Sequence, residues 1–218
     1  GTNDAPVATF VAAQAVNEDD ASITGTLTAT DADANDTLTF SIDAPVSGLS
    51  LLGADWTFDP TDDAYQALEQ GETQSVTVNY TVTDSQGASD SEIFVITVTG
   101  TNDAPVATFD AQQDVTEGSG AHAGQLTSTD VDNNATATFA DTTVGIAGLT
   151  IEANGSFSFD TDDVTYDVLG EGEPQTINVT YSVTDEHGAI GNNAFNIVVT
   201  GTNDAPVATF VAAQAVNE

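Results

Sequence analysis

GTNDAPVATF occupies residues 1–10, recurs at residues 100–109 and appears a third time from Gly201. The intervals are 99 and 101 residues, and Gly201 to Glu218 repeats Gly1 to Glu18 without a change. The chain therefore reads as an array: two complete units, residues 1–99 and 100–200, and the first strand of a third, residues 201–218. A unit of this length exceeds the usual solenoid and propeller-blade repeats and is long enough to enclose its own core. Each unit is expected to be a domain.

Differences between the units report their structure, because a strand sends alternate side chains to opposite faces. Ala12, Gln14, Val16 and Glu18 recur as Ala111, Gln113, Val115 and Glu117, whereas Val11, Ala13, Ala15 and Asn17 become Asp110, Gln112, Asp114 and Thr116. That alternation marks a strand with one constrained face. Val76, Val78, Tyr80 and Val82 likewise match Ile177, Val179, Tyr181 and Val183, while the residues between them change. Phe94, Ile96 and Val98 match Phe195, Ile197 and Val199 in the last strand. Shorter strands are expected around Thr24–Thr30, Thr37–Ile42, Leu49–Leu52 and Trp56–Phe58, with hairpin turns at Asp84–Gly87 and Asp185–Gly188. Thr61–Leu68 suggests a helical turn carrying Tyr65 and Leu68 inward. About seven alternating strands per unit predict an all-β chain of tandem antiparallel β-sandwiches of immunoglobulin or cadherin type.

Composition narrows the chemistry. There are 35 Asp and Glu, no Lys, no Arg and no Cys. A phosphate backbone or an anionic lipid surface needs a basic footprint, so nucleic acid and membrane surfaces are excluded as partners. No apolar run is long enough to span a bilayer, so no membrane insertion is expected. Without thiols, any stapling must come from packing or from a hard cation on oxygen ligands, which points to calcium. The chain begins at Gly1 with no visible signal peptide, so targeting information is expected to lie elsewhere in a longer protein.

The acids that recur are Asp4/Asp103, Glu18/Glu117, Asp31/Asp130, Asp33/Asp132, Asp59/Asp160, Glu72/Glu173 and Asp84/Asp185. All but the Asp59 pair fall at strand ends, in turns or in the linker, where converging loops gather the six to eight oxygens that calcium takes. A solvating acid has no reason to prefer those places.

The order of elements carries a resemblance: a Glu ending the first strand, a D-x-D turn, Tyr-x-x-Leu-x-x-x-Glu, V-T-D-x-x-G and an N-D-A-P linker. It resembles the cadherin calcium-binding repeat, and more closely the bacterial cadherin-like (VCBS) tandem repeats of large secreted RTX-type surface adhesins. The resemblance implies a calcium cluster at each domain junction. At the junction between the units it implies Glu18 and Glu72 from the first unit, Asn102 and Asp103 from the linker, and Asp130, Asp132 and Asp185 from the second. The matching positions before and after are Asn3, Asp4, Asp31, Asp33 and Asp84, and Glu117, Glu173, Asn203 and Asp204. Gly100 stands where the animal pattern has an acid, and one residue is missing between Asp103 and Ala104, which implies fewer ions per junction. Glu69 also aligns with an acidic position, but its mate is Gly170.

No enzymatic constellation stands out among so many carboxylates. His122 and His187 read as surface residues, and Trp56, matched by Phe157, reads as core. Two classes of function remain: a calcium-rigidified spacer in a long extracellular adhesin or biofilm fibre, and a module that recognises glycan, protein or ice. The outer faces are Thr, Asn, Ser and Asp, with no aromatic cluster to anchor a ligand, which favours the spacer. Its expected partners are neighbouring repeats of the same chain. Residues 201–218, duplicating the first strand, also suit exchange with another copy, head to tail, as a filament subunit.

Overall fold

A computed structural model describes residues 2–33, 36–143, 145–206 and 208–209. The chain divides into two compact units, one comprising Gly1–Ala104 with Asp130–Thr136 and the other Pro105–Thr129 with Ala137–Glu218.

The first unit holds β1 (Val7–Ala8), β2 (Gln14–Asn17), β3 (Ile23–Thr26), β4 (Ala29–Thr30), β5 (Thr39–Ile42), β6 (Leu49–Leu52), β7 (Asp55–Phe58), β8 (Thr73–Thr83) and β9 (Ser89–Thr99). One sheet runs β2-β9-β8-β5 and the facing sheet β3-β7-β6, with β1 paired to β4. The second unit repeats the plan with β10 (Val106–Ala107), β11 (Gln113–Thr116), β12 (Ala121–Gln125), β13 (Ser128–Thr129), β14 (Thr138–Asp141), β15 (Leu149–Ile151), β16 (Ser156–Asp160), β17 (Pro174–Thr184) and β18 (Ile190–Thr200). Its sheets are β11-β18-β17-β14 and β12-β16-β15. Both are β-sandwiches, as the alternation predicts.

The cores follow the constrained faces. Val78, Tyr80, Val82, Ile96 and Val98 are wholly buried in the first unit, and Val179, Tyr181, Val183, Ile197 and Val199 in the second. Trp56 is buried, lies 5.2 Å from the Phe94 ring, and sits so close to Gly25 that a Cβ there would come within 2.5 Å of the indole. Tyr65 and Leu68 turn inward, on turns closed by Tyr65 N–H to Asp62 O and Leu68 N–H to Tyr65 O rather than on a helix.

Two local features differ from the sequence reading. The strand read over Val11–Glu18 is β2, with a separate short β1 ahead of it, and β2 pairs with β9 in parallel, as β11 does with β18, while the other pairings are antiparallel. The identical GTNDAPVATF segments also end differently. Phe109 packs edge-on against Phe195 at 5.1 Å and against Phe157 at 5.8 Å, whereas Phe10 is 71% exposed. The larger indole of Trp56 stands where Phe157 is in the second unit, and Val11 supplies the core contact that Asp110 cannot. Accordingly Tyr80 Oη donates to Thr9 O, but Tyr181 Oη donates one residue further on, to Phe109 O.

Candidate metal centre

The end of β2 positions Glu18. Strand alternation turns its side chain to the same side as Val16, and the carboxylate is fully buried. Oε1 accepts the Thr101 amide at 2.7 Å, while Oε2 is buried with no hydrogen-bond partner. Asp103 follows the same arrangement: its amide donates to Asp132 Oδ2 at 2.9 Å, and its own Oδ2 is buried without a partner. Asp130 Oδ1 accepts the Asp132 amide at 3.1 Å, leaving its Oδ2 buried and unsatisfied. One carboxylate oxygen each from Glu18, Asp103 and Asp132 lies within 4.8 Å of the others. In each of Glu18 and Asp130 one oxygen accepts a backbone amide and the other is buried without a partner.

The segment 130–136 is fixed locally. Asn133 N–H donates to Ala67 O at 3.1 Å, and Asn134 Nδ2 donates to Glu69 Oε1 at 2.7 Å. Asn134 adopts φ 56°, a left-handed conformation that asparagine tolerates better than most residues. Glu69, doubtful by alignment, thus anchors the loop that carries Asp130 and Asp132.

Glu72 is placed differently. Its side chain is exposed and Oε2 accepts the Glu69 amide at 3.1 Å, so it caps its own turn outside the Glu18 cluster. Its backbone does hold the linker: Gly100 N–H donates to Glu72 O at 2.8 Å and Gly71 N–H to Gly100 O at 2.9 Å. A Cβ at Gly100 would lie 2.2 Å from Glu69 O. That approach leaves no room for a side chain at this position. Glu173 and Gly201 repeat the arrangement, with Gly201 N–H on Glu173 O at 2.9 Å. Asn102 is half-buried in the linker.

At the start of the first unit, Asp31, Asp36 and Asp84 bring carboxylate oxygens within 4.8 Å of one another. Asn3 Nδ2 donates to Asp84 Oδ2 at 2.8 Å, Asp4 N–H to Asp33 Oδ2 at 2.8 Å, and Asp33 N–H to Asp31 Oδ1 at 2.8 Å. Asp31 Oδ2 is buried and unpartnered. In the second unit Asp185 is buried and accepts the His187 and Ala189 amides, as Asp84 accepts Gln86 and Ala88. Glu117, buried like Glu18, accepts the Thr202 amide on Oε2 at 2.8 Å while Oε1 has no partner. Asn203 and Asp204 are both exposed. Of the expected third-unit strand, residues 207 and 210–218 lie outside the described residues, and Gly201–Pro206 form no strand.

Sequence comparison between units misses two acids because neither recurs. Asp36 corresponds to Ala135, and Asp19, whose Oδ2 accepts the Thr101 hydroxyl at 2.5 Å, corresponds to Gly118. The histidines carry none of this: His122 bonds Gln113 Oε1 at 2.9 Å, and His187 lies 4.0 Å from Glu186.

Burial raises the Glu18 carboxyl above its ordinary range, against the Thr101 amide bond, with the charges of Asp19, Asp103 and Asp132 adding to the rise. Burial also raises Asp103, helped by Asp19, Asp132 and Asp130. Asp84 is lowered, chiefly by the Asn3 amide. For Glu18 and Asp103 the folded state holds its protons more tightly than the unfolded chain. Without a cation, their ionisation therefore costs stability as pH rises through the carboxylate range, and that stability returns as pH falls. In chelator, Glu18→Gln is expected to raise the melting temperature at neutral pH and flatten the acid side of its pH profile. Thermal melts of both proteins from neutral to mildly acidic pH check this.

The donor set fits a hard divalent cation. It is all carboxylate oxygen and leaves buried oxygens on Glu18, Asp103 and Asp130 that none of the described residues satisfies, a costly state for a carboxylate.

Residues 3–97 match the family model described as the bacterial Ig domain. Nothing among the curated proteins matches by sequence. Among solved structures the chain is similar to human protocadherin-24 EC1-2, at 16% identity over 93% of this chain and 100% of that one, with a TM-score of 0.55. It is similar to protocadherin gamma B7 extracellular cadherin domains 1-4 at 15% identity, covering 92% of this chain and 52% of that one, TM-score 0.53. Mouse cadherin-23 EC22-24 gives 15% identity, 90% and 65% coverage and a TM-score of 0.54. The chain thus spans about half the length of the protocadherin gamma B7 fragment. At these identities the likeness establishes the fold alone: β-sandwiches like those of cadherin domains, with residues 3–97 matching the bacterial Ig domain model, in keeping with a bacterial cadherin-like repeat.

Proposed function

We propose that the chain is a calcium-rigidified spacer, a pair of extender repeats at residues 1–99 and 100–200 with the opening of a third at 201–218, in an extracellular adhesin. The observation that carries this reading is the meeting of Glu18, Asp103 and Asp132, with Glu18 Oε2 and Asp103 Oδ2 buried and unsatisfied. Calcium, when bound, would supply the positive charge that this chain has no Lys or Arg to provide. Glu18, Asp103, Asp130 and Asp132 would hold it, with Asn102 and Asp185 as the further ligands the resemblance implies. Asp31, Asp33, Asp36 and Asp84 with Asn3 and Asp4, and Glu117 with Asn203 and Asp204, would serve the neighbouring junctions.

The chain's own residues make the coupling. Thr101 and Asp103 belong to the linker, and their amides are held by Glu18 and Asp132 respectively. Whatever neutralises these carboxylates therefore fixes the linker's path. With the charge unneutralised, Asp19, Asp103, Asp130 and Asp132 repel one another. The chain is read as structural rather than enzymatic. Neighbouring repeats are its partners, and head-to-tail exchange through residues 201–218 is a route to filaments.

Isothermal titration with calcium tests the assignment. Wild type should bind, magnesium should substitute poorly because it favours a tight octahedral shell with retained waters, and Asp132→Ala should weaken binding about tenfold or more while each unit keeps its fold. Unchanged affinity in Asp132→Ala removes that residue from the site.

A further inference from the structure

The two units differ at the side of the sandwich where β5 and β6 end their sheets. In the first unit the chain crosses between the sheets from β5 to β6, and each of these strands pairs on one side only. Between them lies an apolar seam of half-buried side chains, Leu38, Phe40, Ile42, Val46, Leu49 and Leu51. Two grooves of about 380 Å³ each run along it and share Leu51.

The second unit is bonded differently at the same place. Phe139 N–H donates to Ala153 O at 3.0 Å, joining β14 to the turn after β15, and Phe139 is buried. Ala137 and Asp141 stand where the first unit has Leu38 and Ile42, and Asn154 lengthens the turn that Gly53 and Ala54 make. The first unit thus has a more apolar seam along β5, where the second unit has Ala137, the buried Phe139 and Asp141. Core packing alone does not require Leu38 and Ile42 to be large, since the second sandwich forms without them.

The seam offers backbone as well as side chains. Asp43 N–H pairs inward with Asn79 O, so by antiparallel alternation the N–H and C=O of Phe40 and Ile42 point away from β8, along the free edge. Acids stand at both ends. At one end Asp55 follows Ala54. At the other end Asp43 follows Ile42, and Asp62 Oδ2 accepts the amide of Gly48, beside Leu49.

We propose that this seam docks an extended peptide in which apolar residues alternate with lysine or arginine. Strand addition to an open edge satisfies backbone groups, while pockets for alternate side chains give selectivity. The apolar residues would cover Leu38, Ile42, Leu49 and Leu51, and the cationic ones would meet Asp55, Asp43 and Asp62. A second copy of this chain is disfavoured, because it carries 35 acids and no Lys or Arg. The proposal does not rest on the calcium reading.

The test uses the whole chain in calcium, with a fluorescent peptide of alternating lysine and valine and a lysine–serine control of equal length and charge. Ile42→Asp copies the residue that the second unit tolerates at Asp141, and it adds a negative charge. Docking in the seam predicts that the lysine–valine peptide binds more tightly than the control, that Ile42→Asp weakens it about tenfold, and that the Phe40 and Ile42 amides gain exchange protection. Electrostatic coating predicts equal binding of both peptides and a tighter complex with Ile42→Asp. Either of those results, or no binding of the lysine–valine peptide, overturns the proposal.

Discussion

Moving the chain from calcium into chelator is expected to lower its melting temperature by roughly 10–20 °C for each unit whose site is emptied. A ligand that binds only the folded state adds RT ln(1 + [L]/Kd), about 2.7 kcal/mol at a hundredfold excess over Kd. The size of the effect follows from what remains when the cation is removed. Glu18 is fully buried, its Oε2 lacks a partner, and no internal cation exists to take its place. Melting temperature should climb with the logarithm of free calcium, and Glu18→Gln should largely abolish that dependence. Calorimetric scans across a calcium series measure both. A melting temperature indifferent to calcium would contradict the ligand assignment.

Val179→Asp is expected to unfold the second unit with or without calcium. Val179 is wholly buried, on β17 opposite Phe195 of β18. A carboxylate there has no cation to pair with and no route to water, a penalty of about 4 kcal/mol or more against a domain stability of roughly 5–15 kcal/mol. Proton spectra should show collapse of dispersion for residues of that unit, while the Trp56 signal of the first unit stays native. Retention of both sets of native signals would mean that the core is not organised around β17 and β18.

The inward faces of β8, β9, β17 and β18 were legible because alternation has period two and the two units vary independently at outward positions. Glu18 was legible for the same reason: it keeps to the Val16 face and recurs as Glu117. Asp19 and Asp36 were not, since recurrence was the filter and their mates are Gly118 and Ala135. Glu72 recurs as Glu173, yet its side chain is exposed, and what the fold shares between them is a backbone carbonyl that receives Gly100 or Gly201. No side-chain pattern reports a backbone acceptor. Phe10 and Phe109 share ten identical residues and still differ in burial, because Trp56 against Phe157 and Val11 against Asp110 decide the space available. That is tertiary packing overriding local sequence.

The central claim is that neutralising the carboxylates around the Gly100–Ala104 linker stiffens it. Small-angle X-ray scattering of the wild-type chain, recorded in millimolar calcium and again in EDTA, measures this directly. The account predicts that calcium narrows the distribution of interatomic distances and that EDTA broadens it, with Asp132→Ala remaining broad in both. Superimposable wild-type profiles in calcium and EDTA would contradict it.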